Sequence, residues 1–130
     1  MIIGFPKEYD SEEQRVAISP SVISLYSDFG FKVLIESGAG RGSFFYDDQY
    51  IDSGAEIASN PDDIYKESDI IVSIDKINED KIALIKQYAL LVSLIDIADS
   101  ENFIKKVIAG KVTGLSMSMI PRTTLAQKMD

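Results

Sequence analysis

Three side chains of complementary chemistry lie close together near the end of the printed sequence. Arg122 precedes a predicted helix, and Gln127 and Asp130 fall three residues apart within it, so both side chains share one helical face. A guanidinium pairs with anionic or carbonyl groups, an amide both donates and accepts, and a carboxylate accepts from the NH2 of a carboxamide. The three groups could converge on one polar ligand, although the residues alone favour an ordinary amphipathic helix.

Arg15 is a further candidate for facing a ligand. It lies in the segment that follows the first predicted strand. Open α/β sheets usually bind their ligands at the carboxyl ends of their strands, which is where this segment begins. A salt bridge on the surface accounts for Arg15 equally well, so both interpretations stay open.

Residues 38–43, with the sequence Gly-Ala-Gly-Arg-Gly-Ser, follow a predicted strand and invite comparison with a dinucleotide-binding turn. That motif needs G-x-G-x-x-G leading directly into a helix, so that backbone amides meet the pyrophosphate. Here the third glycine comes one residue early, and Phe44, Phe45 and Tyr46 follow. We therefore predict a structural turn.

Two acidic pairs, Asp47-Asp48 and Asp62-Asp63, could hold a metal ion. Adjacent side chains on a strand point apart, however, and the first turn of a helix is where the helix dipole stabilises acidic residues. We interpret both pairs as solvated helix-start residues, and we expect no metal cofactor.

The composition of the 130-residue chain excludes several function classes. It has no cysteine and no histidine, which removes thiolate nucleophiles, zinc-thiolate sites and the commonest general base. Its net charge of -8 disfavours binding to nucleic acid or anionic lipid and favours a basic partner. With no basic leader and no long apolar run, we expect a cytoplasmic protein that does not insert into a membrane.

Apolar runs and helix-start signals alternate along the sequence. This alternation predicts an α/β fold with an open, mostly parallel, doubly wound sheet flanked by helices, Rossmann-like or flavodoxin-like, in a single domain. Strands are predicted at residues 2–5, 31–35, 55–57, 70–74, 89–94 and 112–117. Helices are predicted after Ser19-Pro20, after Asn60-Pro61, over 78–86, after Ser100 and after Thr123 or Thr124.

Helical spacing also predicts which side chains of these helices face the core. The first helix should bury Val22, Leu25, Tyr26 and Phe29, the helix over 78–86 should bury Ile82 and Ile85, and the helix after Ser100 should bury Phe103, Ile104, Val107 and Ile108.

Three segments read together resemble one known family across essentially the whole chain. They are residues 4–8 with 15–20, residues 36–40, and residues 121–130. They are similar to the N-terminal domain shared by alanine dehydrogenases and the alpha subunit of NAD(P) transhydrogenase. The last segment, Pro-Arg-x-x-x-Ala-Gln-x-x-Asp, resembles the transhydrogenase branch. Asp75 stands where the alanine dehydrogenase branch has a lysine, and no histidine is present to serve as its acid and base.

This resemblance implies an NAD(H)-binding subunit of a proton-translocating, Si-to-Re-specific transhydrogenase. Hydride would pass from NADH to NADP⁺ held on a partner domain, coupled to proton movement through a membrane domain. It implies that Arg122 and Asp130 lie towards the nicotinamide and its carboxamide and Gln127 towards the ribose, with no side chain acting as nucleophile or general base. The implied partners are the NADP(H)-binding domain or beta subunit, the membrane domain and a second alpha subunit, at the cytoplasmic face of the membrane.

Residues 1–130 would then be the family's N-terminal domain, ending before the Rossmann domain that grips NAD. We therefore expect this chain to be inactive by itself. The alternative is a stand-alone module of the same fold, in which Arg15 and the loop around it bind a small carboxylate or a partner protein.

Overall fold

The computed structural model describes residues 1–93 and 101–116. Its framework is a six-stranded sheet in which every neighbouring pair is parallel, in the order β3-β2-β1-β4-β5-β6. The strands are β1 (Ile2–Phe5), β2 (Lys32–Glu36), β3 (Glu56–Ala58), β4 (Ile70–Ser73), β5 (Leu90–Ser93) and β6 (Thr113–Ser116). The predicted open, parallel sheet is confirmed, and the strand ends that can be compared differ by at most one residue, since the predicted ends at 94 and 117 lie outside the described residues.

Helices cover both faces of the sheet. The α-helices are α1 (Ile23–Asp28), α2 (Asp47–Asp52), α3 (Pro61–Glu67) and α4 (Glu101–Ala109), and 3-10 helices occupy Pro20–Val22, Arg41–Ser43 and Glu79–Leu84. Alternate residues of β2 pack on opposite faces of the sheet. Leu34 packs in one core, and Val33 and Ile35 pack in the other. The doubly wound arrangement is therefore confirmed.

The two cores are built from different helices. One core joins Leu34 and Ile71 of the sheet to Ile64 of α3 and Phe103 of α4. The second core sets β1 and β2 against α1 and α2, and its members include Ile3, Phe5, Ile23 and Tyr50. Such burial on both faces is why the central strands read as continuous apolar runs rather than as alternating ones.

The helix that follows Asn60 starts as its sequence predicts. The Asn60 side chain accepts a hydrogen bond from the Asp62 amide at 3.1 Å, and Pro61 occupies the first helical position. The earlier helix starts differently. Ser19 makes no capping hydrogen bond, its hydroxyl lies 2.9 Å from that of Ser21, and the first turn is a 3-10 helix.

The predicted inner faces of two helices were partly wrong. Leu25 of α1 and Phe29, which follows it, are exposed, and Ile23 is the buried residue of the helix, because the 3-10 first turn changes the angular spacing before the α-helix begins. On α4, only Phe103 and Val107 are buried, while Ile104 and Ile108 are exposed. A short helix on a sheet edge buries one narrow i, i+4 stripe, and the flanking residues remain in solvent.

The predicted helix over 78–86 is a 3-10 helix at Glu79–Leu84, and it buries Ile82 and Ile85 as expected. Asn78 begins it by accepting a hydrogen bond from the Asp80 amide. The predicted cap at Ser100 and the final helix after Thr123 or Thr124 lie outside the described residues. No helix within residues 1–93 and 101–116 combines the length and apolar character that crossing a membrane requires.

Candidate functional site

The order in which the chain adds strands to the sheet reverses between β1 and β4. The chain proceeds from β1 through β2 to β3 on one side, then returns to place β4 on the other side of β1. The pairing of these two strands is brief, with Ile3 opposite Ile70 and Gly4 opposite Ile71. Such a switch point forms the crevice in which open α/β sheets bind ligands.

Glu8 bridges this crevice. Its two carboxylate oxygens accept hydrogen bonds from the backbone amides of Ile74 and Asp75, each at 2.9 Å, although the residues are 66 and 67 positions apart in sequence. The residue is only 9% exposed. Burial raises the pKa of Glu8 above its usual range, an effect that outweighs the two amide hydrogen bonds and is reinforced by the nearby charges of Glu13 and Asp75.

Arg15 lies in an ion pair rather than against the crevice wall. Its Nε and Nη2 donate to the two carboxylate oxygens of Glu13 at 2.9 and 2.8 Å, and its backbone amide donates to the same carboxylate. The Arg15 side chain remains 67% exposed. These hydrogen bonds lower the pKa of Glu13 to about 2. The structure thus shows the salt bridge, while the ligand-facing role of Arg15 stays a prediction.

Two cavities flank the start of the loop after β1. The first, of about 380 Å³, lies between this loop and the turn after β2, and the second, of about 430 Å³, lies towards α3 and the Glu79–Leu84 helix. Both are of the size that small ligands occupy. Lys7, Glu8 and Ser11 line both cavities.

Two titratable groups of the second cavity were not selected by the sequence analysis. They are the half-buried Glu36 carboxyl and the buried Tyr65 hydroxyl. Burial raises the pKa of Glu36, which the Lys7 backbone amide and ammonium partly oppose, and it raises the pKa of the Tyr65 hydroxyl. At its rim, Lys81 donates to Asp62 at 2.6 Å. The signal available in the sequence was position, because Glu8, Glu36 and Asp75 each end or closely follow a strand on the ligand-binding edge.

The glycine-rich residues 38–43 form a structural turn, as predicted. They include the 3-10 helix Arg41–Ser43, and Phe44, which follows, adopts a left-handed conformation with φ 63°. The Gly38 amide, which a phosphate would need, already donates to the Asp47 carboxylate at 3.0 Å. A side chain at Gly42 would collide with the backbone of Gln14, so close packing against the loop after β1 explains this glycine.

The acidic pairs occupy helix starts, as predicted. Asp47 and Asp48 lie in the first turn of α2, and Asp62 and Asp63 in the first turn of α3. Asp47 has a local structural role, because its carboxylate also accepts from the Ser37 hydroxyl at 2.7 Å. In the part of the chain that the structure describes, no group of three or more acidic side chains could hold a metal ion.

Arg122, Gln127 and Asp130 lie outside the described residues. Their convergence on one ligand therefore stays a prediction.

Known proteins resemble this chain from end to end. Residues 4–130 match the family model described as alanine dehydrogenase/PNT, N-terminal domain. The NAD(P) transhydrogenase subunit alpha of Haemophilus influenzae is 34% identical over 130 residues, which are all of this chain and 25% of that protein. The alanine dehydrogenase of Methanococcus maripaludis is 31% identical over 120 residues, covering 92% of this chain and 32% of that protein.

A solved transhydrogenase structure also matches the whole chain. The transhydrogenase of Sinorhizobium meliloti superposes with a TM-score of 0.90 at 30% identity, and the match covers 100% of this chain and 39% of that one. The chain spans a quarter to a third of the length of the curated relatives described above. Both branches of the family share an oxidoreductase context. The chain therefore belongs to the alanine dehydrogenase/PNT N-terminal domain family.

Proposed function

We propose that this chain is the N-terminal domain of the NAD(H)-binding alpha subunit of a proton-translocating NAD(P) transhydrogenase. The observation that carries the proposal is the acidic crevice between β1 and β4. Asp75 lies at its rim, where its backbone amide donates a hydrogen bond to the Glu8 carboxylate. The charge of Glu13 also raises the pKa of Glu8. A keto acid is an anion, and Asp75 places a carboxylate where alanine dehydrogenase would need a cation. The sequence also lacks the histidine that such a reaction would use.

The described residues suit the nicotinamide end of NAD(H) better than its phosphates. The acids at the crevice repel a pyrophosphate, and the Gly38 amide is occupied by Asp47. We propose that a second domain in the complete subunit holds the phosphates. Arg122 and Asp130 would then bind the nicotinamide and its carboxamide, and Gln127 would bind the neighbouring ribose, as the chemistry of those side chains permits.

Bound NADH supplies the hydride, so no side chain of this chain needs to act as nucleophile or general base. The task of Arg122, Gln127 and Asp130 is to fix the orientation of the ring that faces NADP⁺ on the partner domain. Small errors in that orientation cost large factors in rate. The proposed partners are the NADP(H)-binding domain or beta subunit, the membrane domain and a second alpha subunit, at the cytoplasmic face of the membrane.

Two exposed apolar stripes support the expectation of further packing partners. Leu25 of α1 and Phe29, which follows that helix, are 56% and 80% exposed, and Ile104 and Ile108 of α4 are 38% and 70% exposed. Each pair has i, i+4 spacing, so its side chains lie side by side. Adjacent exposed apolar side chains of this kind are typical of surfaces that another domain or subunit covers.

The test is isothermal titration of NADH into two proteins: this 130-residue chain and a complete subunit that joins it to an NAD-binding Rossmann domain. We expect binding by the complete subunit alone. In that subunit, Arg122→Ala and Asp130→Asn should weaken NADH binding and slow hydride transfer, whereas Glu12→Gln, at an exposed position that lines neither cavity, should not. Micromolar binding of NADH by the 130-residue chain would contradict the proposal.

A stand-alone binding module is the second candidate, and the two cavities favour it. The cavity of about 430 Å³ combines Lys7, Lys81 and Asn78 as donors with Glu36 as an acceptor. A module of this kind would bind a small polar ligand without any second domain. Titration of the 130-residue chain with small dicarboxylates and amino acids distinguishes the two, because the transhydrogenase proposal expects no binding there.

A further inference from the structure

We infer that Glu8 is a positioning residue that sets the width of the crevice between β1 and β4 and holds Asp75 at its rim. The inference rests on the proposed function for its ligand, but its structural part stands on the geometry of the described residues alone. It concerns a side chain that sequence analysis did not select and that the proposed contacts to NAD(H) do not include.

The main-chain pairing of β1 and β4 ends early. Gly4 opposite Ile71 is the last paired position, and two further residues of β4 continue beyond it. Further along the chain, the backbone amides of Ile74 and Asp75 donate to the Glu8 carboxylate and so join the two loops that follow these strands. A side chain thus takes over where the backbone ladder stops. Its length determines how far apart the two loops lie.

A carboxylate suits this position better than any neutral side chain. Each of its two oxygens accepts one amide, and hydrogen bonds to a charged acceptor are stronger than neutral ones. An amide side chain at position 8 would offer one oxygen and would turn its NH2 towards the second backbone N–H. The loop after β4 would lose one of its two fixed points, and Asp75 would be free to shift.

Glu8 lies within a ring of charged and titratable groups. Glu13 and Arg15 act on it from the loop after β1, Asp75 from the loop after β4 and Tyr65 from α3. Lys7 shares both cavities with it, and Glu36 and Lys81 line the second cavity. Titration of Glu8 therefore alters the charge at the centre of the crevice, and the Ile74 and Asp75 amides report that titration directly.

The structural test uses NMR of the 130-residue chain as wild type, Glu8→Gln and Glu8→Asp. Hydrogen exchange at the Ile74 and Asp75 amides should be faster by roughly tenfold in Glu8→Gln, the factor that corresponds to one such hydrogen bond. The wild-type shift of the Ile74 amide should follow an acidic titration that is absent from Glu8→Gln. Glu12→Gln, in the same loop and exposed, is the matched control and should leave exchange and titration unchanged.

The ligand test measures NADH affinity in the complete subunit carrying the same variants. We expect Glu8→Gln to weaken binding by roughly tenfold, Glu8→Asp to recover part of the loss, and Glu12→Gln to have no effect. A melting temperature within the range of the control would show that the loss comes from positioning and not from unfolding.

The two tests separate the two ideas. Unchanged exchange at Ile74 and Asp75 in Glu8→Gln would overturn the inference whatever the subunit binds. Faster exchange with unchanged NADH affinity would overturn the positioning role and leave the proposed function intact. A wild-type complete subunit that binds no NADH would overturn the proposed function, and the ligand part of the inference with it.

Discussion

The Ser68 hydroxyl packs directly against the α-carbon of Gly4, in the middle of the sheet. A Cβ built on Gly4 would overlap Ser68 Oγ and lie 3.0 Å from Ser68 Cβ. Ser68 directly follows α3 and is fully buried, so it has no free space to move into. The approach of α3 to β1, on which the crevice geometry depends, thus requires the absence of a side chain at Gly4.

Gly4→Ala should therefore destabilise the fold. Overpacking of this kind costs about 1–3 kcal/mol of the free energy of unfolding. Ser68→Gly in the same chain removes the colliding atoms and should recover part of that loss. The measurement is denaturant unfolding of the wild type, the two single variants and the double variant. Additive losses in the double variant would contradict the proposed collision, because independent sites add and contacting sites do not.

Ser68→Ala should leave stability unchanged or increase it by about 1 kcal/mol. The Ser68 hydroxyl is buried and has no hydrogen-bond partner, so the folded chain has lost its hydration without compensation. Alanine keeps the shape of the site without the polar atom. Ser73→Ala is the matched comparison, since the Ser73 hydroxyl donates to the Asp75 carbonyl, and its loss should lower the melting temperature. Equal destabilisation by both substitutions would show that Ser68 has a partner.

Tyr50→Phe should lower the free energy of unfolding at neutral pH by about 1–2 kcal/mol. The buried Tyr50 hydroxyl donates to the Ile18 carbonyl at 2.7 Å and ties α2 to the segment before α1. Phenylalanine keeps the ring contact with Phe45 but leaves the carbonyl unpaired. Tyr46→Phe, at an exposed position in the same region, is the control and should have little effect on chemical denaturation.

The same tyrosine should make the fold sensitive to alkali. Burial raises the pKa of Tyr50 to about 12 from a usual value of 10. The stabilising contribution is complete below pH 10, and it is lost as pH rises from about 10 to about 12, because the unfolded chain releases the proton first. Burial also raises the pKa of Tyr65, and that tyrosine remains in the Tyr50→Phe variant. The variant should therefore show a shallower loss of stability over that range, and an identical slope would contradict the assignment.

The main features of the fold followed from local signals, because apolar runs such as Val33, Leu34 and Ile35 and starts such as Asn60-Pro61 are determined by nearby residues. The errors concern which side chains of a helix face the core, because regular helical spacing alone does not determine that face. Leu25 fits a helical stripe, yet the 3-10 turn before α1 directs Ile23 inward instead. Ile104 has the right spacing, yet the sheet edge buries only one stripe of α4.

The site was harder to predict than the fold, for a physical reason. The Glu8 bridge joins residues 66 and 67 positions apart, and no local pattern marks Glu8 among the acids of its loop. Only the strand order brings the ends of β1 and β4 together. Arg15 was selected by its position after β1, but a carboxylate two residues away binds it, and short-range ion pairs of this kind form wherever the loop conformation permits.

The last prediction concerns Arg15→Gln, which should raise the pKa of Glu13 from about 2 towards its usual value of 4.5. With Arg15 present, the depressed pKa stabilises the fold above the unfolded value, and that contribution is lost as pH falls towards about 2. The side chain of Arg15 is 67% exposed, so solvent screens the pair and the change in overall stability should be small. NMR titration of the Glu13 carboxyl measures the shift directly. In the complete subunit, Arg15→Gln should leave NADH affinity close to that of Lys32→Gln, which removes another exposed, ion-paired cation, whereas a much larger loss would support a ligand-facing role for Arg15.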